Sequence, residues 1–321
     1  MGFFGSGSAG RRLSLASLFT AVIGLTPVLW PGTAAAQGTC GRVYLVNTQN
    51  ELLRLARAAD FYESISERPG TTPRAIIRGR QAISGLASGE VLVGIDFRPS
   101  TGVLYGIGRI GSDANGQLYT IDVASGAATA VGMRAVPLSG AAFGVDFNPV
   151  PDLIRLVSDT GQNVRLVPAN GTVAGGTPDT NLTYPAMGDP NAGRVPGVVA
   201  VAYLNPDRSL NTNTLLYDID ADRAADPNAV AGDVLAAQVP PNGGVLNTLG
   251  RLGVDATDFV SFDIGPNNEA LAAIQPVGSP FSRLYFIDLT SGVAIDIGQI
   301  GTGELVAGLA IEVGPQCDPA P

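Results

Sequence analysis

The chain has no histidine anywhere in its 321 residues. That absence excludes a His-based catalytic triad, a His-ligated zinc site and histidine acid–base chemistry. Aromatic residues make up 6%, and the one tryptophan, Trp30, falls in an N-terminal apolar run. Few flat ring faces are left for stacking a sugar; Tyr184, Tyr203, Tyr217 and Phe281 are the candidates. Charged residues are 15% and the net charge is −9. A phosphate-binding surface needs clustered Lys and Arg, so nucleic acid is not an expected partner. Helix formers such as Lys and Glu are scarce, whereas glycine (42) and proline (23) are frequent. Short strands joined by many turns follow from that balance.

Arg11 and Arg12 precede an apolar run from Leu13 to Trp30, followed by Pro31 and Ala34-Ala35-Ala36. This is the order of a secretory signal, with a loose match to the twin-arginine type and a retained anchor as the alternative. Cleavage after Ala36 leaves residues 37–321 as one exported domain, secreted or periplasmic.

What the chain does contain is a repeat. VGIDFRPSTG (Val93–Gly102) returns as FGVDFNPVPD from Phe143, and more faintly as AVAYLNPDRS from Ala200, VSFDIGPNNE from Val260 and GLAIEVGPQC from Gly308. The prolines Pro99, Pro149, Pro206, Pro266 and Pro315 are spaced by 50, 57, 60 and 49 residues. Each copy leads into further short apolar runs separated by Gly, Asn, Asp and Ser turns. Four short strands per repeat predict an all-β, five-bladed β-propeller. The last copy, ELVAGLAIEVGP (Glu304–Pro315), is a strand with no blade after it. GRVYLVN, ELLRLA and AIIRG near the start form a blade lacking its first strand. Joining them closes the ring and removes free sheet edges. ELLRLARAADFYESISE also has near-helical spacing, ranked below a strand for Glu51–Ala56. Cys40 and Cys317 flank the closing strands, where intact blades have a short turn, so a disulfide is expected there.

Aligned on the prolines, the copies place Gly94, Gly144, Val201, Ser261 and Ala310 at a tight axial position and Ile95, Val145, Ala202, Phe262 and Ile311 in the core between blades. Three residues before each proline stand Asp96, Asp146, Tyr203, Asp263 and Glu312. Four carboxylates facing one channel would repel, by roughly 3 kcal/mol per pair at 6 Å and an effective dielectric of 20. Bonds from strand-end amides, a hard cation such as calcium, or retained protons would each relieve this. No cofactor is otherwise expected. The longest polar insertions, Ser158–Gly193 and Asp222–Gly244, are the expected binding loops, with Asp159, Gln162, Asn163, Asp189 and Asn191 as candidate contacts.

GEVLVGIDFRPSTGVLYGIG, GQLYTIDVASGAATAVG, FGVDFNPVPDLIRLVSDTGQNVRL, GDPNAG and PPNGGVLNTLGRLGVD resemble the bacterial family called domain of unknown function 4394. The resemblance runs from about Val43 to Val313 and implies an exported, propeller-like protein; it carries over no catalytic residue. The resulting expectation is a monomeric, non-enzymatic binding or scaffold module whose partner is an extracellular glycan, polymer or protein. The alternative is a carboxylate-based hydrolase, such as a glycosidase, acting at the central channel.

Overall fold

A computed structural model describes residues 40–61, 75–207, 213–221, 233–315 and 317. The signal-like segment lies outside them, as do part of the fourth-blade insertion and most of the stretch after Phe61. The described residues form five antiparallel sheets arranged as a five-bladed propeller. In chain order the first blade takes β1 (Arg42–Asn47), β2 (Glu51–Arg57) and β3 (Gly79–Ala82). The second has β4 (Glu90–Arg98), β5 (Val103–Ile110), β6 (Asn115–Ile121) and β7 (Ala128–Pro137). The third has β8 (Phe143–Asn148), β9 (Leu153–Ser158) and β10 (Asn163–Leu166). The fourth has β11 (Val198–Tyr203), β12 (Leu216–Asp220), β13 (Val234–Gln238) and β14 (Leu246–Arg251). The fifth has β15 (Ala256–Ile264), β16 (Ala270–Pro276), β17 (Arg283–Ile287) and β18 (Ala294–Gln299), and β19 (Val306–Ile311) completes the first.

Burial falls from the axis outward. All six residues of the innermost VVAVAY strand β11 are buried, because neighbouring blades cover both faces; a half-wet strand would alternate. The outermost strands β3 and β14 expose much of their length. Five apolar clusters fill the gaps between blades. One joins β11–β13 to β15–β17 around Phe262 and Ile264, and another joins the first blade to the fifth around Leu45, Leu53 and Leu271. Strand β2 covers Glu51–Arg57, as expected for Glu51–Ala56, and residues 58–61 are helical up to the edge of the described segment; the rest of the stretch to Glu67 lies outside the described residues.

Closure is direct. β19 pairs antiparallel with β1, setting Val43 opposite Ile311 and Leu45 opposite Leu309. The Gly41 amide donates to Glu312 O at 2.9 Å and the Glu312 amide to Arg42 O at 2.8 Å. Cys40 and Cys317 are disulfide-bonded with their Cα atoms 5.4 Å apart.

The third blade departs from the four-strand expectation. After β10 the chain makes one antiparallel bridge, Leu166 to Val173, and leaves the sheet. Gly175 and Gly176 there have φ of 73° and 77°, a left-handed backbone that ends extended pairing.

Candidate functional site

The innermost strands set the axial register. Asp96 accepts from its own neighbour's amide, Phe97 N at 2.6 Å, and from Phe147 N of the next blade at 2.6 Å. Asp263 does the same with Ile264 N at 2.6 Å and Ile311 N at 2.5 Å. Asp146 accepts from Tyr203 N at 3.3 Å. In each case the partner amide belongs to the residue just after the acidic position of the next blade. Tyr203 and Ile311 are therefore the counterparts of Phe147, and the acidic positions of their strands are Ala202 and Ala310.

This corrects the proline-based alignment. The ring holds three carboxylates, Asp96, Asp146 and Asp263, and two alanines. Tyr203 lies one residue past the ring, on the opposite face of its strand, because side chains alternate along a strand. Its hydroxyl sits 3.3 Å from Arg155 Nε. Glu312 lies beyond β19, half-buried at the junction with β1, and its charge helps to hold the Tyr44 hydroxyl above its ordinary pKa, after burial. The tight axial position moves with the register and becomes Gly94, Gly144, Ala200, Ser261 and Gly308, which together line a central cavity of about 10 Å³. All five are Gly, Ala or Ser. A Cβ on Gly144 would fall 2.8 Å from the Ala200 and Val201 backbone, so the convergence of blades leaves no volume there.

One oxygen from each of the three aspartates lies within 4.8 Å of the others, and all three side chains are buried. Burial raises the Asp96 pKa well above its usual value, followed by the negative charge of Asp263; the two amides partly oppose this. Asp146 is also pushed well up, by burial and then by the charges of Asp96 and Asp263, and its side-chain contact with Asp263 raises it further. Asp263 is raised to about 7, chiefly by burial, with its two amides and Asp146 pulling the other way. Burial and mutual repulsion thus favour the protonated form within the cluster. Calcium seeks six to eight oxygens. Here both oxygens of Asp96 and of Asp263 and one of Asp146 already accept backbone amides, and the two alanines offer none, so the donor set falls short of a calcium site.

The aspartates bind the second blade to the third, the third to the fourth, and the fifth to the first. The other two junctions use asparagine. Asn205 and Asn268 pair through Asn205 N to Asn268 Oδ1 (3.0 Å) and Asn268 Nδ2 to Asn205 Oδ1 (2.8 Å), tying the fourth blade to the fifth. Asn50 donates to Glu90 O at 2.8 Å and accepts from Leu92 N at 3.0 Å, tying the first to the second.

The candidate loop residues are committed internally. Asp159 accepts from the amides of Ala141 and Ala142. Gln162 bridges Ser139 N and Pro137 O. Asn163 accepts from Arg155 at 2.7 Å and donates to Thr180 O and Pro241 O. Asp189 takes Thr248 N and Oγ1, each at 2.7 Å, and Asn191 donates to the same hydroxyl. Asn163, Asp189 and Asn191 pin the 174–193 segment between the third and fourth blades, where Leu182 and Tyr184 enter the core. Sequence reading missed the centre of this clamp. Arg155, fully buried in the LIRLV strand, bonds Asp179 at 2.7 Å and Asn242 at 2.8 Å. A lone arginine inside an apolar run was the available signal.

Residues 69–310 match the family model described as domain of unknown function (DUF4394). The chain belongs to that family. No curated protein matches its sequence. Among solved structures it is similar to the dihydro-heme d1 dehydrogenase NirN at 13% identity and a TM-score of 0.34, covering 83% of this chain and 45% of that one. It is also similar to a putative 6-phosphogluconolactonase from Bacteroides uniformis, at 16% and 0.38 over 83% and 72% of the two chains. Regucalcin from Agrobacterium tumefaciens, described as a calcium-binding protein, gives 11% and 0.40 over 81% and 77%. The DUF4394 chain thus spans less than half of the first of these, and none of the three bears on what it binds.

Proposed function

We propose that this DUF4394 propeller is an exported, monomeric, non-enzymatic binding or scaffold module. The observation that carries this reading is that its axial carboxylates are sealed. A carboxylate-based glycosidase needs two carboxyl groups about 5–10 Å apart on either side of a substrate bond. Here the carboxylates lie within 4.8 Å of each other, spend their oxygens on amides, and sit beside a cavity of about 10 Å³. A sugar ring has no room between them. Their oxygens serve ring cohesion, since the amides they accept belong to the neighbouring blades. Export is supported by the disulfide, a bond that persists in oxidising compartments. Among the described residues no helix is long and apolar enough to cross a membrane.

A rigid presentation surface supports the binding role. The clamped segment after β10 holds Met187 outward, and Val195 follows it before β11; both are 86% exposed. A fixed loop that shows apolar side chains loses little entropy on binding. The test is a panel of polysaccharides, cell-wall fractions and extracellular proteins assayed for both retention and bond cleavage. Retention without released product, lost in a Met187→Asp/Val195→Asp variant, is the expected result. Release of reducing ends that disappears in Asp146→Asn would reverse the assignment.

A further inference from the structure

The chain contains no lysine, so all 19 of its basic side chains are arginines, within a net charge of −9. Four of them converge on one cleft. Arg42 of β1, Arg54 and Arg57 of β2, and Arg78 just before β3 line an opening of about 320 Å³ on the first blade, floored by the buried Leu55 and Ala56. Among the described residues the one acidic side chain in the lining is Asp60, which pairs with Arg57 at 2.9 Å. Among the described lining residues, four arginines thus face one aspartate. Arg42, Arg54 and Arg78 have no carboxylate partner among the described residues.

The fold brings these like charges together. Arg42 stands directly opposite Arg57 in the β1–β2 register, and Tyr44 opposite Arg54. Like charges across a strand pair are unfavourable. Arg54 reaches over Gly79, where a Cβ would sit 3.3 Å from its Nε, and lies 3.5 Å from Arg78 O. Its guanidinium is thereby directed toward Arg78. A guanidinium presents a planar fork of donors that matches carboxylate, sulfate and phosphate oxygens two at a time. Arginines clustered around a concave opening in an acidic protein make a local reversal of sign that draws anions in.

We infer that this cleft of the first blade binds a multivalent oxyanion, the negative groups of one ligand spanning Arg42, Arg54 and Arg78. A free polyanion and a segment of a charged polymer present the same chemistry. The inference goes beyond the binding-module reading and uses a different surface from the Met187 and Val195 face.

The experiment is calorimetric titration of the intact exported protein with pyrophosphate, citrate and tetragalacturonate at low and physiological salt. Saturable binding that weakens with added salt is expected. Arg54→Gln and Arg78→Gln should each weaken it about three- to tenfold, while Arg251→Gln on the fourth blade leaves it unchanged. Both target side chains are exposed, and unchanged melting temperatures confirm that the variants fold. Binding of the small anions as well as the oligomer identifies a free polyanion as the ligand source; binding of the oligomer alone identifies a polymer. Absence of saturable binding by all three, or equal affinity in Arg54→Gln/Arg78→Gln, overturns the inference. Cleavage of tetragalacturonate would instead overturn the non-enzymatic reading and leave the cleft assigned.

Discussion

Asp146 carries the clearest pH dependence. A carboxyl group whose pKa is higher folded than unfolded binds more protons in the folded state. Its contribution is fully present below the unfolded value of 3.8 and is lost as pH rises through the folded value, about 7 for Asp263, with Asp146 raised in the same direction by burial and its acidic neighbours. Asp152 and Asp179 act in the opposite sense. Arg98 holds Asp152 below its usual range, and Arg165 and Arg155 outweigh burial at Asp179; their stabilisation is lost as pH falls below about 4. Stability should therefore peak at mildly acidic pH and decline toward pH 8 by about 1.4 kcal/mol per pH unit for each proton retained. Asp146→Asn keeps a donor toward Asp263 and an acceptor for the Tyr203 amide without the titration. Urea unfolding from pH 4 to 8 should show a slope reduced by about one proton; an unchanged slope would show that the shared proton resides elsewhere.

At the scale of elements, the clamp and the closing strands each have their own test. Arg155 is wholly buried, and its charge is balanced by Asp179, whose side chain is 7% exposed. Asp179→Ala leaves that guanidinium unpaired and should cost about 3–5 kcal/mol. Hydrogen exchange should then quicken first around Leu182 and Tyr184. The disulfide spans 277 residues. Replacing both cysteines by serine should lower stability by about 2–4 kcal/mol, with faster exchange confined to β1 and β19. Uniform loss of protection across all five blades would mean that the bond constrains the whole ring rather than its seam. Both seam cysteines and the alternation of short strands were legible in the sequence. The three-stranded third blade was not, because a Gly-rich polar run has the same composition whether it forms an outer strand or a clamp.

For the molecule as a whole, closure is the decisive feature. Each interblade core needs two blades, and β19 supplies the inner wall of the first: Leu309 and Ile311 pack with Leu45, Leu53 and Leu271. Removing residues 304–321 exposes the β1 edge and opens that core. The truncated chain should therefore lose cooperative unfolding and associate, as judged by calorimetry and light scattering. A truncated chain that still melts cooperatively as a monomer would show that the terminal strand is dispensable.

The sequence by itself determined the architecture. Five recurring strands, a missing first strand at one end matched by a spare strand at the other, and a cysteine beside each specify a closed ring, because apolar runs buried on both faces have no other way to leave water. Only the tertiary structure decided which side chains meet at the axis. Proline spacing measures the length of the turn after a strand, whereas the face a residue occupies is set by strand register. In β11 the turn is one residue longer and in β19 two, so Tyr203 and Glu312 give way to Ala202 and Ala310. The convergence of Arg42, Arg54, Arg57 and Arg78 on one blade was likewise hidden, because cross-strand pairing, not nearness in sequence, brings those charges together.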